Sequence, residues 1–275
     1  MEFSVLLSVY KKENPDFLKE SLESIYENQI LKPSEIVLVQ DGPLTKELDE
    51  VVNHKVNMYP DIFKIVKLEK NMGLGYALNE GIKECSYELI ARMDTDDIAT
   101  TERFHKQITF MYENTNIDVL GGMLEEFEAF PGDLSQFRLL PESQADIFKF
   151  AKFRNPINHP TVVYKKSKVQ KVGGYQTDVL FWEDYLLWVD MLNAGCEFHN
   201  LNQNVLHFRV QDGLHMIKKR RGFKYAINEI KFAKYCRKNG FFSFYDYLKY
   251  VLIKPPLRLI PSSILYFIYK KFSRN

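Results

Sequence analysis

Three aspartates, Asp94, Asp96 and Asp97, lie within four positions directly after the apolar segment 88–93. Carboxylates this close repel one another, which raises the pKa of at least one of them unless a cation lies between them. A hard divalent metal ion would remove that penalty and could bridge to the oxygens of a phosphate. The residues allow two interpretations: a metal site for a phosphorylated ligand, or an Asp-rich turn in which Asp97 or Thr100 caps the next helix.

The same spacing resembles the start of a calcium-binding EF-hand loop, which needs Gly at its sixth position and Glu at its twelfth. Counted from Asp94, those positions hold Ala99 and His105. An EF-hand is therefore excluded, and the metal site and the cap turn remain as the alternatives.

Predicted strands and helices, which must position these acids, alternate along roughly the first 120 residues. Continuous apolar runs predict strands buried on both faces, at 3–9, 35–40, 62–68, 88–93 and 117–122. Helical patterns lie between them: one begins at the Asn14-Pro15 cap, and others cover Thr45–Met58, 71–85 and Glu102–Glu113. This alternation predicts an α/β fold with a parallel sheet and helices on both faces. Ligands of such sheets bind at the carboxyl ends of the strands, which here carry Ser8–Tyr10, Asp41 and Asp94–Asp97.

Composition and charge narrow the classes of protein. The 275 residues are 45% hydrophobic and 27% charged, as in an ordinary globular protein, and three scattered cysteines predict a reducing compartment. The sequence offers no signal peptide and no run of 18 apolar residues, so we expect no membrane-spanning helix. The net charge of +1 conceals an asymmetry, because residues 216–275 hold fifteen Lys/Arg and two Asp/Glu. That asymmetry predicts an anionic partner for the C-terminal region.

Five motifs occur together in an informative order: "SVLLSVYKKE", "VLVQDGP", "NMGLGYALNEGI", "ARMDTDD" and "FWEDYLLW". In this order they resemble the family 2 glycosyltransferases of bacterial polysaccharide assembly, over roughly residues 3–215. The resemblance implies a GT-A fold, and it is strongest to enzymes that extend lipid-linked capsule or O-antigen repeat units. The Q-x-x-R-W motif of the family's membrane-embedded synthases is absent, which argues against a processive polymerase.

The resemblance also implies roles for individual residues on the donor side. Asp41 would hydrogen-bond uracil with Tyr10 packed nearby, and Asp94 would lie beside the ribose. Asp96 would bind Mg²⁺ or Mn²⁺ at the diphosphate, and Asp97 would bind the metal or orient it. From the residues alone, Asp41 could equally be a turn residue, and Asn71 and Gly73 could form a helix-entry turn. The full set predicted to bind the nucleotide sugar is Ser8, Val9, Tyr10, Asp41, Asn71, Gly73, Asp94, Thr95 and Arg209.

The resemblance assigns the catalytic base to Asp184, the second acid of the "WED" motif, where a helix is predicted to begin near Glu183. A base must take the proton from the acceptor hydroxyl as it attacks the anomeric carbon. Glu183 would orient the acceptor or the metal, and Trp182 would contact the acceptor. One base and one metal-held leaving group imply a single displacement, which inverts an α-linked donor into a β-glycoside. The alternative is that both acids merely favour a helix N-terminus electrostatically.

His159 and the basic segment 206–222 each allow two interpretations. His159 could contact the acceptor or the donor sugar, or it could be a hydrogen-bonded structural residue. The basic segment 206–222 contains His207, Arg209, His215, Lys218, Lys219, Arg220 and Arg221. It is predicted to be a flexible loop that closes over the diphosphate, or else a solvated basic face.

The C-terminal residues mix aromatic and basic side chains, and Pro255, Pro256 and Pro261 are expected to divide them into short helical pieces. The last piece, 262–272, has an apolar stripe with Lys270, Lys271 and Arg274 near its end. This pattern is typical of a helix lying on anionic lipid; the alternative is a helical extension that packs on the catalytic domain or on a dimer mate. Nucleic acid is not expected as a partner, since no recognised binding module is present.

These observations predict a catalytic domain at 1–215, with a nucleotide-binding half (1–122) and an acceptor-binding half (123–215), followed by a helical tail at 216–275. The predicted activity is metal-dependent transfer of a hexose from UDP-glucose or UDP-galactose to a lipid-diphosphate-linked saccharide, at the cytoplasmic face of the membrane. Two alternatives stay open, namely a sugar-1-phosphate nucleotidyltransferase and a non-catalytic assembly protein of the same fold. A homo-oligomer is compatible with all three.

Overall fold

The computed structural model describes residues 1–179, 181–210 and 221–260. The strands in these residues are β1 Ser4–Val9, β2 Glu35–Gln40, β3 Phe63–Lys67, β4 Leu89–Arg92, β5 Ile98–Ala99, β6 Val119–Phe127, β7 Gln136–Arg138, β8 Val163–Lys165 and β9 Phe198–Arg209. Within the described residues they form one nine-stranded sheet with the order β3-β2-β1-β4-β8-β6-β9-β5, and β7 pairs with β6. The first four strands run parallel, as their continuous apolar sequences predict.

The helices begin where the sequence supplies caps. The Asn14 side chain accepts from the Asp16 amide at the start of the first helix, and the Thr45 hydroxyl accepts from the Leu48 amide at the start of the second. The predicted cap at Asn14 is confirmed. The helices are α1 Pro15–Ile25, α2 Lys46–Met58, α3 Leu74–Glu84, α4 Arg103–Glu113, α5 Gln144–Phe150, α6 Lys166–Lys171, α7 Glu183–Asn193, α8 Phe223–Lys238 and α9 Phe244–Leu259.

Two hydrophobic clusters cover the two faces of the sheet. On β1, Leu6 belongs to the cluster that includes residues of α3, α7 and α8, whereas Val5 and Leu7 belong to the cluster that includes residues of α1, α2 and α4. Successive side chains of a strand point to opposite faces, so both faces of β1 are buried. The prediction of helices on both faces is confirmed.

The second half of the sheet is mixed. β8 runs antiparallel between β4 and β6, and β5 runs antiparallel to the end of β9. The sequence predicted the strand at 117–122 but not β8, which is three residues long and lies in a segment without clear periodicity. The predicted loop at 206–222 is wrong for His207 and Arg209, because both lie in β9, where β6 and β5 supply hydrogen-bonding partners. His215, Lys218, Lys219 and Arg220 lie outside the described residues.

α8 and α9 form a helical hairpin, called here the C-terminal hairpin, that packs on α7. Phe232 of α8 lies 4.3 Å from Tyr185 of α7, measured between ring centroids, and both belong to the cluster that contains Trp188. Packing on the catalytic domain was one of the two alternatives that the sequence left open. The segment 262–272, for which a membrane-surface helix was predicted, lies outside the described residues.

The expectation that Pro255 and Pro256 interrupt the C-terminal helix is wrong, since both lie inside α9. A proline within a helix costs about 3 kcal/mol, mainly through a lost hydrogen bond and a steric clash. A capping box between Ser243 and Asp246 stabilises the start of this helix. Near its end the Arg258 guanidinium donates to buried Glu229 of α8, so packing on the neighbouring helix opposes the break.

Across the described residues, no helix is both long enough and apolar enough to cross a membrane.

Candidate active site

The acidic cluster lies in the turn between β4 and β5, at the carboxyl edge of the parallel strands. One carboxylate oxygen from each of Asp94, Asp96 and Asp97 lies within 4.8 Å of the others. Asp94 and Asp96 are half-buried, and Asp97 is completely buried. The three acids are therefore close enough to share one cation.

The buried aspartate shows why a cation fits. The Asp97 Oδ1 accepts a hydrogen bond from the Arg209 amide at 2.9 Å, whereas its buried Oδ2 has no hydrogen-bond partner among the described residues. Burial, and then the charges of Asp96 and Asp94, raise the pKa of Asp97 well above its usual value. Burial, followed by the charges of Asp94 and Glu13, raises the pKa of Asp96 to about 7. A hard cation with oxygen ligands would relieve all of these penalties, so the donor set fits Mg²⁺ or Mn²⁺.

Asp94 is held by an arginine that sequence analysis did not single out. The Arg92 Nη1 donates to Asp94 Oδ2 at 2.7 Å, and its Nη2 pairs with Asp94 Oδ1. Arg92 is 1% exposed, so this bidentate pair is shielded from solvent on the arginine side. An arginine in the otherwise apolar strand "ELIARM" was the available signal, because a buried charge needs a partner.

A second buried arginine lies beneath the first. Arg103 of α4 is fully buried; its Nη2 donates to the Arg92 carbonyl at 2.7 Å and its Nε to Gln107 at 3.1 Å. Burial, and then repulsion from Arg92, lower the pKa of Arg103 to about 9. Two arginines thus lie on the protein side of three aspartates and offset part of their charge.

Arg209 joins this turn to β9. Its Nε donates to the Asp96 carbonyl at 2.9 Å, and its guanidinium lies 3.9 Å from the Phe17 ring centroid and 4.5 Å from that of Phe127. It also pairs with Glu20. Arg209 is therefore an anchor of the acidic turn, and its contact with the donor stays a prediction.

Asp41, Asn71 and Gly73 form one connected unit at the next strand end. The Asp41 carboxylate accepts hydrogen bonds from the Asn71 side chain at 2.9 Å, the Met72 amide at 2.7 Å and the Gly73 amide at 3.0 Å. Gly73 has φ +91, a conformation that favours glycine, directly before α3. The structure thus shows the turn role that the sequence left open for these residues. Recognition of uracil by Asp41 stays a prediction.

The remaining donor-side residues lie around the same edge. Val9 is buried at the end of β1, Ser8 is half-buried, and Tyr10 is 43% exposed. The Thr95 hydroxyl donates to Glu13 at 2.7 Å. Of the described predicted donor residues, Tyr10 is thus a side chain that an incoming ring could contact without rearrangement of the core.

Hydrogen bonds from Asn155 and Tyr185 help to orient the candidate base. Asp184, in the first turn of α7, accepts from the Asn155 side chain at 2.7 Å on Oδ2 and from the Tyr185 amide at 2.8 Å on Oδ1. Burial raises the pKa of the neighbouring Glu183. Asn155 was not identified from the sequence, because it lies 29 residues from Asp184.

The aromatic residue of this motif occupies a different position from the one its assigned role suggests. Trp182 is 6% exposed and packs 5.9 Å from Tyr225 of α8, measured between ring centroids. The preceding Phe181 is 48% exposed, stacks on Tyr225 at 4.5 Å and has φ +74. Strained backbone of this kind is often found at functional sites. Phe181 therefore offers a more accessible ring beside the base than Trp182, whose acceptor contact stays a prediction.

His159 takes the structural role that the sequence offered as one alternative. Its Nε2 lies 2.8 Å from the Tyr175 hydroxyl, and its ring lies 6.0 Å from the Trp188 ring. Burial, and then repulsion from Arg92, hold the pKa of His159 well below its usual value. A neutral His159 therefore supports the layer below the acidic cluster, and its contact with acceptor or donor stays a prediction.

An amide clamp connects the donor and base segments. The Asn79 side chain of α3 both donates to the Tyr175 carbonyl and accepts from the Tyr175 amide, each at 2.8 Å. A Cβ added to Gly75 would lie 3.4 Å from the Glu183 Cβ, so the start of α3 contacts the motif that carries the base. The fold thus brings together motifs that are about 100 residues apart in sequence.

Comparison with known proteins agrees with this geometry. Residues 4–167 match the family model "Glycosyl transferase family 2". The UDP-Gal:alpha-D-GlcNAc-diphosphoundecaprenol beta-1,3-galactosyltransferase of Escherichia coli is 40% identical over 274 residues, covering 100% of this chain and 97% of the relative. The amylovoran biosynthesis glycosyltransferase AmsE of Erwinia amylovora is 39% identical over 269 residues, covering 98% of each chain.

A solved structure shows the same fold at low identity. The crystal structure of S. aureus TarS 1-349 in complex with UDP-GlcNAc superposes with a TM-score of 0.67 at 18% identity, covering 100% of this chain and 74% of that one. The predicted GT-A fold is confirmed. Because the family model matches more than half of the chain, the chain belongs to glycosyltransferase family 2.

Proposed function

We propose that this glycosyltransferase transfers a hexose from a UDP-sugar to a lipid-diphosphate-linked saccharide in surface polysaccharide synthesis. Galactose is the first candidate for the hexose, and glucose is the second. The observation that carries a metal-dependent transfer is the acidic cluster, with one buried Asp97 oxygen lacking a partner among the described residues. The choice of galactose and of the acceptor rests on the Escherichia coli relative, whose name states both.

Asp96 and Asp97 would hold Mg²⁺ or Mn²⁺, with Asp94 at the edge of the same site. When bound, the ion would supply Lewis-acid stabilisation of the negative charge that develops on the departing diphosphate. Arg92 holds the Asp94 carboxylate in place through its bidentate pair. Asp94 would then accept from a ribose hydroxyl.

The donor nucleotide would occupy the carboxyl edge of β1 and β2. Tyr10 would pack against the uracil, and Asp41 would hydrogen-bond it from a carboxylate already fixed by the turn before α3. Ser8, Val9 and Thr95 would border the nucleotide. A rigid Asp41 favours binding because little side-chain entropy is lost when the base arrives.

Asp184 would act as the general base. The two hydrogen bonds from Asn155 and the Tyr185 amide fix the direction of its carboxylate. It would take the proton from the acceptor hydroxyl while that oxygen attacks the anomeric carbon and UDP departs. One displacement of this kind converts an α-linked donor into a β-glycoside. Burial raises the pKa of Glu183, which would orient the acceptor through a hydrogen bond.

The acceptor's lipid places the reaction at a membrane, which we propose to be the inner face of the cell membrane. The basic excess of residues 216–275 would attract anionic lipid headgroups. The described part of this region also exposes large apolar side chains on α9, including Tyr245 at 73% and Leu252 at 72%. Charge and apolar surface on one hairpin are the combination that an interfacial surface requires.

The test is a donor panel with purified full-length protein. UDP-galactose, UDP-glucose, UDP-GlcNAc and GDP-mannose are each supplied with a lipid-diphosphate-linked GlcNAc acceptor, with EDTA, and with EDTA followed by Mn²⁺. We expect UDP release and a β-linked product with UDP-galactose, loss of turnover in EDTA and recovery with Mn²⁺. Turnover that is indifferent to EDTA would refute the metal dependence. Absence of UDP binding in calorimetry with Mn²⁺ would favour a non-catalytic assembly protein.

A further inference from the structure

Three cationic side chains lie near one another and near the segments that flank the candidate base. The Arg258 guanidinium of α9 lies 5.8 Å from the Trp182 ring, and its Nε donates to Glu229 at 2.9 Å. One turn earlier on the same helix, the Lys254 Nζ lies 4.4 Å from the Phe153 ring centroid. Arg154 follows Phe153 in the chain. We call Arg154, Lys254 and Arg258 the cation cluster.

Among the described residues, the carboxylate that pairs with the cation cluster is Glu229. It is 1% exposed and is already engaged by the Tyr250 hydroxyl and by Arg258. In the part of the chain that the structure describes, no carboxylate oxygen lies within 4.0 Å of the Lys254 or Arg154 nitrogens. Burial lowers the pKa of Lys254 to about 8; Glu229 acts against this shift, while Arg258 and Arg154 add to it. An anionic ligand would offset this mutual repulsion.

The cluster borders the base on two sides. Arg154 directly precedes Asn155, whose side chain donates to Asp184 at 2.7 Å. Arg258 contacts Trp182, two residues before Asp184. An acceptor that presents a sugar hydroxyl to Asp184 would therefore have Arg154 and Arg258 close to its binding position.

An apolar surface continues from this point. Gly222 donates its amide to the Arg258 carbonyl, which puts the start of α8 beside the end of α9. Phe223 at 77% and Leu259 at 45% exposure lie at that end of the hairpin, next to Arg258. A ligand with an anionic group on the cluster and a hydrocarbon chain beyond it would bury these side chains.

We propose that Arg154, Lys254 and Arg258 form an anion-binding subsite that holds the diphosphate of the acceptor while its sugar hydroxyl faces Asp184. This subsite rests on the proposed function, because it takes the acceptor to be a sugar on a lipid diphosphate. Positive side chains that bracket two phosphates would strengthen acceptor binding through charge-assisted contacts, equally before and during the reaction.

The test compares two water-soluble acceptors that differ only in the diphosphate: decyl diphospho-α-GlcNAc and decyl α-GlcNAc. Kinetics are measured at saturating UDP-galactose without membranes, for the wild type and for Lys254→Met, Lys254→Arg and Arg154→Met. We expect Lys254→Met to raise KM for the diphosphate acceptor about tenfold, the loss typical of one charge-assisted contact. kcat, KM for the donor and KM for the neutral acceptor should stay unchanged, and Lys254→Arg should restore most of the affinity.

The matched control is Lys238→Met, which removes one exposed positive charge at the opposite end of α8. Arg258 is unsuitable as the primary target, because its loss would leave Glu229 buried without its cation and could unfold the hairpin. Equal effects of Lys254→Met on both acceptors, or no effect on either, would overturn the subsite.

A binding measurement separates failure of the subsite from failure of the proposed function. Fluorescence of the two tryptophans, of which Trp182 contacts Arg258, is titrated with each acceptor in the absence of donor. Tighter binding of the diphosphate acceptor that Lys254→Met abolishes would support the subsite even if no UDP-sugar is turned over. Equal binding of both acceptors would overturn it while leaving glycosyl transfer intact. If Lys254→Met weakens only the binding of phosphatidylglycerol vesicles, the cations serve membrane headgroups and the subsite is wrong.

Discussion

The acidic turn after β4 and the outer face of α9 depart from the usual distribution of side chains in opposite directions. At the turn, Asp97 is 0% exposed although it is a carboxylate, and one of its oxygens has no partner among the described residues. On α9, Leu252 is 72% exposed although it is aliphatic. A buried carboxylate and an exposed leucine each raise the free energy of the protein without ligand, compared with an exposed carboxylate and a buried leucine. Each would become favourable with the ligand proposed for it, a cation at the turn and hydrocarbon at the helix.

The two regions also differ in how they are held. The acidic turn is fixed by directional contacts: the bidentate pair from Arg92, the amide of Arg209 and the Arg209 side chain. The outer face of α9 is held from behind by the Glu229 network and by aromatic packing around Phe232 and Tyr250. Directional contacts suit a ligand whose atoms must be placed within tenths of an ångström, whereas a lipid surface needs only area and charge.

The largest expected effect concerns Asp184, which lies between these two regions. Asp184→Asn should lower kcat by about 10³-fold, because the amide cannot accept the acceptor's proton. The affinity for UDP with Mn²⁺, measured by calorimetry, should change less than about twofold, since the acidic turn is untouched. Asp178→Asn, at an exposed position six residues earlier, is the matched control and should behave as the wild type. Near-normal turnover of Asp184→Asn would remove it from the role of base.

The next largest effect is expected at Asp96 and concerns the acidic turn alone. Asp96→Ala should weaken Mn²⁺-dependent UDP binding by about a hundredfold, as expected for a lost metal ligand. In the metal-free protein the same change should raise the free energy of unfolding by about 1 kcal/mol, because one of three repelling carboxylates is gone. Calorimetric titration with and without EDTA and urea denaturation give the two quantities. Unchanged UDP binding in Mn²⁺ would contradict the assignment of Asp96.

A smaller effect is expected on the hairpin side. Leu252→Ser should lower partitioning onto phosphatidylglycerol vesicles by about tenfold, the equivalent of part of one leucine's burial energy. Activity on a water-soluble acceptor should be unchanged, because Leu252 is exposed to solvent and is not among the residues proposed to bind either substrate. Leu139→Ser, at a residue 59% exposed elsewhere on the surface, is the matched control for added polarity. If Leu252→Ser instead converts a dimer to a monomer in light scattering, the face is an interface between two copies.

The smallest effect is expected at His159, in the layer beneath the acidic turn. The pKa of His159 is lowered in the fold, so below its unfolded value of about 6.5 the unfolded chain takes up a proton that the folded chain refuses. This group should therefore reduce the free energy of unfolding by about 1 kcal/mol per pH unit as the pH falls below about 6.5. Denaturation at a series of pH values should show a shallower decline in His159→Gln. Identical slopes would mean that His159 is protonated in the folded protein.

Local sequence was sufficient for much of the fold. The apolar runs of β1–β4 and the cap at Asn14 are each encoded within a few residues, so their positions could be predicted. The acidic turn was equally visible, because the three aspartates are neighbours in the chain. The five family motifs, taken in their order along the chain, indicated the fold to which these strands and helices belong.

Contacts between distant residues could not be predicted in the same way. Asn155 reaches Asp184 across 29 positions and Asn79 reaches Tyr175 across 96, and nothing local distinguishes these asparagines from others. β8 joins the sheet because β4 and β6 offer edges on both of its sides, and α9 runs through two prolines because α8 and its buried Glu229 hold it.

The sequence alone thus determined which strands form, where the first helices start and that a carboxylate cluster follows β4, since these depend on short-range periodicity and capping. Only the tertiary structure decided that Arg92 balances Asp94, that Trp182 is buried and that the C-terminal hairpin packs beside the base. Those outcomes depend on which surfaces meet, and burial energy and long-range hydrogen bonds select them only when the whole chain has folded.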